Sequence, residues 1–329
     1  MLILNAEEVR YALPMDQAIA AMKVAYAALS DGSAIVPNRT RLPVEPHQAL
    51  SLFMPAYLQS PTDEALAIKV VSLFPENPAK GLAYIQAAVL VLDPQTGRTL
   101  ALLEGSTLTA IRTGAGSGAA IDILARPDSA VVAIFGAGVQ GRTQLEAACT
   151  ARQIERVYVY NPTREKAERF AEELAGKGPI PTDIQIADTS QQAVGEADII
   201  CTATPATQPV FDDADLKPGV HISAVGAYTP SMQEVSPQTL ARATLAVDSY
   251  TTIEEEAGDL VQAIRAGAIQ ASDIHAELGE IVLGKKPGRT TETEITCFKS
   301  VGNAIQDAVA AQLALKNAAT LQLGQQVDF

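Results

Sequence analysis

Three glycines in the stretch VVAIFGAGVQGRTQ carry the chemistry most easily named: Gly136, Gly138 and Gly141 make the spacing G-x-G-x-x-G. The pattern alone is weak. Here it follows an apolar run directly and opens a helix-like run, the context a dinucleotide loop requires. Gly136 would allow the tight turn, Gly138 the approach of a pyrophosphate, and Gly141 close packing of helix on strand. Val139 and Gln140 lie in the same loop, where free N–H groups at a helix start favour phosphate. NAD-specific loops place a carboxylate about 20 residues further on to read the adenosine ribose. This chain has Asn161 there, followed by Thr163 and Arg164 in YNPTREKAERF. An uncharged amide, a hydroxyl and a cation favour NADPH, with NADH as the second candidate cofactor. Arg164 as no more than an exposed first-turn residue is the plainer alternative.

A second set of residues is cationic. Lys69 stands in ALAIKVVSLF, an otherwise apolar strand-like run, and Arg112 stands among small and apolar residues in LTAIRTGAGSG. Arg39 lies in VPNRTRLPV. An unpaired buried ammonium is costly, so something anionic should meet Lys69. A small carboxylate ligand fits, because a guanidinium pairs with carboxylate through two hydrogen bonds. Each of the three could instead form a structural ion pair.

The elements that would hold these residues follow from pattern and composition. A chain of 329 residues with 47% hydrophobic content is expected to form two domains. LPMDQAIAAMKVAYAALSDGSA reads as the first helix, with Pro14 in its first turn, Gly32 at its end, and Ile19, Met22, Ala25 and Tyr26 on its apolar face. ALSLFMPAYL and EALAIKVVSLF read as strands, and YIQAAVLVLDPQTGRTLALLEG as a hairpin turning at Asp93 to Gly97. STLTAIRTGAGSGAAIDILA reads as a helix rich in small residues. From Ser129 the chain alternates strand and helix, which implies a mostly parallel sheet covered on both faces. The run CFKSVGNAIQDAVAAQLALKNA contains a long helix that is expected to return to the first domain. The acidic run Glu254–Glu256 reads as a solvated helix face.

Charge and composition exclude other classes. Thirty-eight acidic against 24 basic residues give a net charge of −14, which opposes binding to nucleic acid or anionic lipid. No apolar stretch is long enough to span a membrane, and MLILNAEEVR has acids where a signal peptide needs an apolar run. Cys149, Cys201 and Cys297 are widely spaced and read as buried apolar residues. The expectation is a cytoplasmic protein without a metal site, since His47, His221 and His275 have no metal-ligand spacing.

These segments resemble the ornithine cyclodeaminase/mu-crystallin family. The likeness runs through FMPAY, AIKVVSLFPENPAKGL, LDPQTG, LTAIRTGAGSGAA, GAGVQGRTQ, YNPTREKAE, ELGEIVLGKKPGR and EITCFKSVGNAIQD, and covers nearly the whole chain. The resemblance implies an α/β fold: a Rossmann doubly wound parallel sheet, residues 119–302, plus a discontinuous α/β dimerisation and substrate domain, residues 1–118 with 303–329. It implies that Arg39, Lys69 and Arg112 meet a substrate carboxylate, with Val301 beside the substrate. It places Arg112, Thr202, Thr204, Val225, Gly226 and Ser300 about the cofactor. Cyclodeaminases of the family carry an aspartate where this chain has Tyr228, in VGAYTPSMQEV. A tyrosine, with its pKa near 10, cannot act as that carboxylate base at neutral pH. The segment looks instead like the branch that reduces cyclic ketimine carboxylates, Δ1-pyrroline-2-carboxylate and Δ1-piperideine-2-carboxylate, to proline and pipecolate. Tyr84 departs from that branch, where many relatives have threonine.

The implied enzyme is thus an NAD(P)H-dependent ketimine reductase and a homodimer acting on a small cyclic imino acid. Lys69 is the candidate proton source, with His47 and Tyr228 as rivals. Alanine dehydrogenase or cyclodeaminase chemistry, and a crystallin-like binding protein without catalysis, are the alternatives.

Overall fold

The computed structural model describes residues 1–59, 64–251 and 256–328. Glu254 and Glu255 of the acidic run lie outside the described residues. The chain forms two compact units, Met1–Arg112 with Asn303–Phe329, and Thr113–Gly302. No helix among the described residues is long and apolar enough to cross a membrane.

The first unit opens with β1 (Leu2–Leu4), α1 (Ala6–Ala12) and α2 (Met15–Asp31). The helix expected first is therefore the second. Asn5 starts α1 with a capping box: its side chain accepts from Glu7 N and Glu8 N, while Glu8 accepts from Asn5 N. Pro14 lies just outside α2 as its N-cap rather than within its first turn. Gly32 ends α2 at φ 83°, a left-handed conformation that suits glycine. Ile19, Met22, Ala25 and Tyr26 are buried, as their helical spacing requires.

Strands β2 (Ala34–Ile35), β3 (Thr40–Val44), β4 (Ala49–Leu58), β5 (Ala65–Leu73), β6 (Ile85–Leu92) and β7 (Thr99–Glu104) follow, then helix α3 (Gly105–Leu124). The sheet runs from the closing strand Gln325–Gln326 through β1, β7, β6, β5 and β4 to β2, with β3 also paired to β4. Among the described residues, β1 and β7 pair in parallel and the other pairings are antiparallel. Alternate residues of β5 are buried, the period of a strand with one core face. Lys69 is on that buried face. The C-terminal helix Ala304–Leu321 packs against β4, β5 and α2 of this unit.

The second unit is built on a wholly parallel sheet. Its strands are β8 (Val131–Phe135), β9 (Arg156–Tyr160), β10 (Ile184–Ile186), β11 (Ile199–Thr202), β12 (His221–Ala224), β13 (Ala243–Val247), β14 (Ala276–Glu277) and β15 (Ile295–Lys299). The order is β10-β9-β8-β11-β12-β15-β13-β14. It reverses direction between β8 and β11, the switch point outside whose carboxyl ends open α/β sheets take their ligands. Helix α4 (Val139–Ala151) follows β8, and α5 (Arg164–Leu174) follows β9.

Candidate functional site

At the switch point, backbone bonds knit the strand ends together. Gly136 N donates to Tyr160 O at 3.0 Å, Ala203 N to Phe135 O at 2.9 Å, Val225 N to Thr202 O at 3.0 Å, and Ser300 N to Ala224 O at 3.1 Å. The glycine loop, Thr202, Thr204, Val225, Gly226 and Ser300 thus lie at the carboxyl ends of β8, β11, β12 and β15. Gly136 has φ 100°, which other residues rarely adopt, and a Cβ there would meet Ala203 O at 2.7 Å. A Cβ on Gly141 would strike Gly136 O, so only glycine lets α4 come this close to β8. Gly138 faces open space: a Cβ there would have nothing within 4 Å. It is also the N-cap of α4, and no side chain caps that terminus. Open space beside uncapped helix amides is the cradle a pyrophosphate needs, so the residues present fit a dinucleotide.

The Asn161 amide works locally. Its Oδ1 accepts from Ala137 N at 3.2 Å and its Nδ2 donates to Thr163 O at 2.9 Å, bracing the glycine loop against the start of α5. Thr163 is exposed. Arg164, also exposed, pairs with Glu168 at 3.0 Å and with Asp188.

Three buried carboxylates shape the loops beyond β11, β12 and β15, and the sequence reading missed all three. Glu234 accepts from Thr204 Oγ1 at 2.8 Å, Thr204 N at 2.6 Å, Gly226 N at 2.7 Å and Ala227 N at 3.2 Å. It thus staples the Thr204 and Gly226 loops to each other. Burial pushes its carboxyl above the ordinary carboxylate range, against the pull of Lys299. Asp259 holds Glu234 in turn: its Oδ1 accepts from Glu234 N at 2.6 Å and Val235 N at 2.9 Å. Its Oδ2 lies 2.8 Å from Lys299 Nζ, both side chains being buried. Asp248 does similar work on the next turn, its Oδ2 accepting from Ser300 Oγ at 2.8 Å, Val301 N at 3.0 Å and Gly302 N at 2.7 Å. Glu234 and Asp248 sit in loops without periodicity, and Asp259 in the first turn of a short helix, Gly258–Arg265. The only sequence signal for Asp259 and Lys299 is a charge within an apolar run.

In the first unit, Lys69 and Arg112 come together, and the anion that meets them belongs to the protein. Lys69 Nζ is 2.6 Å from Asp307 Oδ2, and Arg112 Nε is 2.9 Å from Asp307 Oδ1. All three side chains are buried. The pairing follows from how the C-terminal helix starts. Asn303 is its N-cap, accepting from Gln306 N, while Gln306 Oε1 accepts from Asn303 N at 2.9 Å. This capping box places Gln306 and Asp307 in the first turn. The same Gln306 oxygen accepts from Arg112 NH1 at 3.1 Å, and Gln306 Nε2 donates to Tyr26 OH at 2.7 Å. Burial, with Arg112 and Arg39 adding to it, pulls the Lys69 ammonium down to about 8, and Asp307 opposes them. Arg39 is half-buried.

The rival proton sources are placed differently. His47 lies in an exposed turn with its ring 6.2 Å from Phe74. Tyr228, two residues past Gly226, is 40% exposed, and Tyr84 is exposed as well.

A parallel sheet of this order, with its glycine loop at the switch point, defines a Rossmann-type unit. The chain as a whole belongs to the ornithine cyclodeaminase/mu-crystallin family, whose sequence pattern matches residues 1–321. It is 42% identical to a Δ1-pyrroline-2-carboxylate reductase of Bacillus cereus, over 100% of both chains. Among solved structures it is similar to Δ1-pyrroline-2-carboxylate reductase of Thermococcus litoralis in complex with NADH and L-proline, with a TM-score of 0.94 and 43% identity over 99% of this chain and 100% of that one. An archaeal alanine dehydrogenase dimer with bound NAD gives a TM-score of 0.91 at 32% identity, covering 100% of this chain and 99% of that one.

Proposed function

We propose that this protein is an NAD(P)H-dependent reductase of cyclic ketimine carboxylates. It would take Δ1-pyrroline-2-carboxylate to L-proline, with the six-membered homologue going to L-pipecolate. The observation that carries the reading is the buried grouping of Lys69 and Arg112 on a single carboxylate, Asp307. Two cations on one anion leave a net positive charge, suited to a substrate carboxylate. The Bacillus and Thermococcus relatives, named for this reaction, support it.

In this reading Arg112 and Arg39 anchor the carboxylate and Val301 lies beside the ring. Lys69 helps to hold the carboxylate and supplies the proton that keeps the ring nitrogen an iminium. When bound, the reduced nicotinamide supplies the hydride for the adjacent ring carbon. One imine, one hydride and one proton give one secondary amine. The protein's task is to orient the ring and exclude water. Ornithine deamination is disfavoured by Tyr228, which stands where that chemistry wants a carboxylate.

The cofactor in this reading is NADPH by preference, held by the glycine loop with Val139 and Gln140, and by Thr202, Thr204, Val225, Gly226, Ser300 and Arg112. Arg164 would exchange its pairs with Glu168 and Asp188 for the 2′-phosphate. Exposed pairs of this kind are weak and screened by solvent, whereas a phosphate offers a guanidinium strong charge-assisted hydrogen bonds. The exchange therefore favours the phosphate. We assign residues 119–302 to the cofactor, and 1–118 with 303–329 to substrate and to dimerisation, in a cytoplasmic homodimer.

The likeness to an alanine dehydrogenase favours a second reading, reductive amination of a 2-oxo acid. A panel separates the two: oxidation of NADPH and of NADH with both cyclic ketimines, and with pyruvate plus ammonia. Ornithine with NAD completes it. Turnover of a ketimine well above the others supports the reductase; turnover of pyruvate with ammonia alone overturns it.

A further inference from the structure

We infer that Asp307 is a positioning residue that keeps Lys69 cationic and fixes its ammonium in the free protein, so that the carboxylate site is charged before substrate arrives. The inference deepens the reductase reading and rests on it for the meaning of Lys69.

Lys69 projects from β5 onto the buried face of its sheet. Asp307 reaches it from the C-terminal helix, Arg112 lies alongside on α3, and Arg39 approaches from the segment before β3. Of these groups only Asp307 is an anion. Burial, Arg112 and Arg39 each push the proton off Lys69, and Asp307 alone among them holds it on. A buried ammonium with two cationic neighbours and no carboxylate would be neutral at physiological pH. A neutral amine neither attracts a carboxylate nor protonates an imine.

The arrangement also explains why one carboxylate is shared. A Lys69–Asp307 pair by itself would be neutral and would offer a substrate carboxylate nothing. Arg112 takes the other oxygen of Asp307, so both cations are held in place and one positive charge remains over. Gln306 completes the frame. It is fixed by Tyr26 and by Asn303 N, and its oxygen takes an Arg112 proton that Asp307 does not. The substrate carboxylate would then complete the neutralisation that Asp307 begins.

The test follows the Lys69 ammonium directly in lysine-labelled protein by NMR, its signal assigned by its loss in Lys69→Arg. In the native protein it should titrate near 8. In Asp307→Asn the midpoint should fall by about one pH unit or more, since a neighbouring opposite charge shifts a pKa by about 1–3 units. The basic limb of the kcat/KM profile should move with it. Loss of activity at neutral pH should fall mainly on KM and recover as pH is lowered. Asp307→Glu, which keeps the charge, should retain a native-like midpoint, and Lys69→Arg should abolish the limb. An unmoved Lys69 midpoint in Asp307→Asn, with kcat/KM lowered by one factor at every pH, would show a merely structural role. Should Asp307→Asn fail to fold, the native titration still decides: a Lys69 midpoint below neutral pH with Asp307 in place overturns the inference. The NMR titration needs no substrate. A protein that reduces no ketimine therefore overturns the functional reading and leaves this one standing, while an unmoved midpoint does the reverse.

Discussion

Asp307 Oδ2 lies 2.6 Å from Lys69 Nζ, and the other oxygen of the same carboxylate lies 2.9 Å from Arg112 Nε. One acid thus neutralises part of two buried cations, and the three are not equally replaceable. Asp307→Ala leaves both cations buried without their carboxylate. Lys69→Ala leaves the Asp307–Arg112 pair intact. Breaking a buried pair from one side costs about 3–5 kcal/mol. Asp307→Ala is expected to lose about that much stability in urea unfolding, and Lys69→Ala clearly less. Equal losses would mean that the two cations do not share the acid.

Glu234 gives a different kind of prediction, because its partners are backbone and side-chain donors of the Thr204 and Gly226 loops. Glutamine is close in shape, but its NH2 would replace one accepting oxygen and face a donor. Hydrogen bonds to a charged group are worth roughly 1.5–3 kcal/mol each. Loss of one should loosen the loops and weaken dinucleotide binding by about tenfold or more. Fluorescence titration of Glu234→Gln with NADPH checks this. Unchanged affinity would show that these loops do not need the staple.

How much of this could be read beforehand differs residue by residue. The glycine loop was legible because backbone geometry restricts the choice of residue there: Gly136 at φ 100° and the close approach at Gly141 admit little else. Helix α2 was legible through the spacing of Ile19, Met22, Ala25 and Tyr26. Helix α1 was not, since its seven residues are too few to set up a periodic apolar face; its signal was the cap at Asn5 and Glu8. Lys69 was recognised as a buried cation in need of an anion. Nothing about Asp307 marks it locally as that anion, because an acid in the first turn of a helix ordinarily answers the helix dipole. That Asp307 reaches β5 depends on how the C-terminal helix packs across the sheet, a long-range relation that no local pattern encodes.

Arg164 offers a test of cofactor choice. Arg164→Ala is expected to weaken NADPH binding by about ten- to a hundredfold, the worth of one hydrogen bond to a charged group, and to leave NADH nearly unaffected. Titration of both cofactors on both proteins reads the difference directly. Equal losses would place recognition of the 2′-phosphate elsewhere.

His221 should set part of the acid sensitivity of the fold. It is fully buried, its ring nitrogens 2.9 Å from Thr296 Oγ1 and 3.0 Å from Ser223 Oγ. Burial, with Arg289 and Arg152 nearby, depresses its pKa to about 3 from an ordinary value of 6.5. Between those two values the unfolded chain takes up a proton that the native chain refuses. Stability should therefore be unaffected by this group above pH 6.5 and fall as pH drops below it, by up to about 1.4 kcal/mol per pH unit. In His221→Gln, urea unfolding across pH 7 to 4 should show a shallower decline. A decline as steep as in the native protein would assign the sensitivity to other groups.

If Lys69 and its neighbours hold a cyclic imine carboxylate for reduction, turnover depends on Lys69. The most direct measurement is NADPH oxidation with Δ1-pyrroline-2-carboxylate, run alongside assay of L-proline, in native protein and in Lys69→Ala. The native protein is expected to form one L-proline per NADPH consumed. Lys69→Ala is expected to lose nearly all turnover while still binding NADPH, since the glycine loop belongs to the other unit. Full activity in Lys69→Ala, or release of ammonia from ornithine as fast as the native protein reduces the imine, would contradict it.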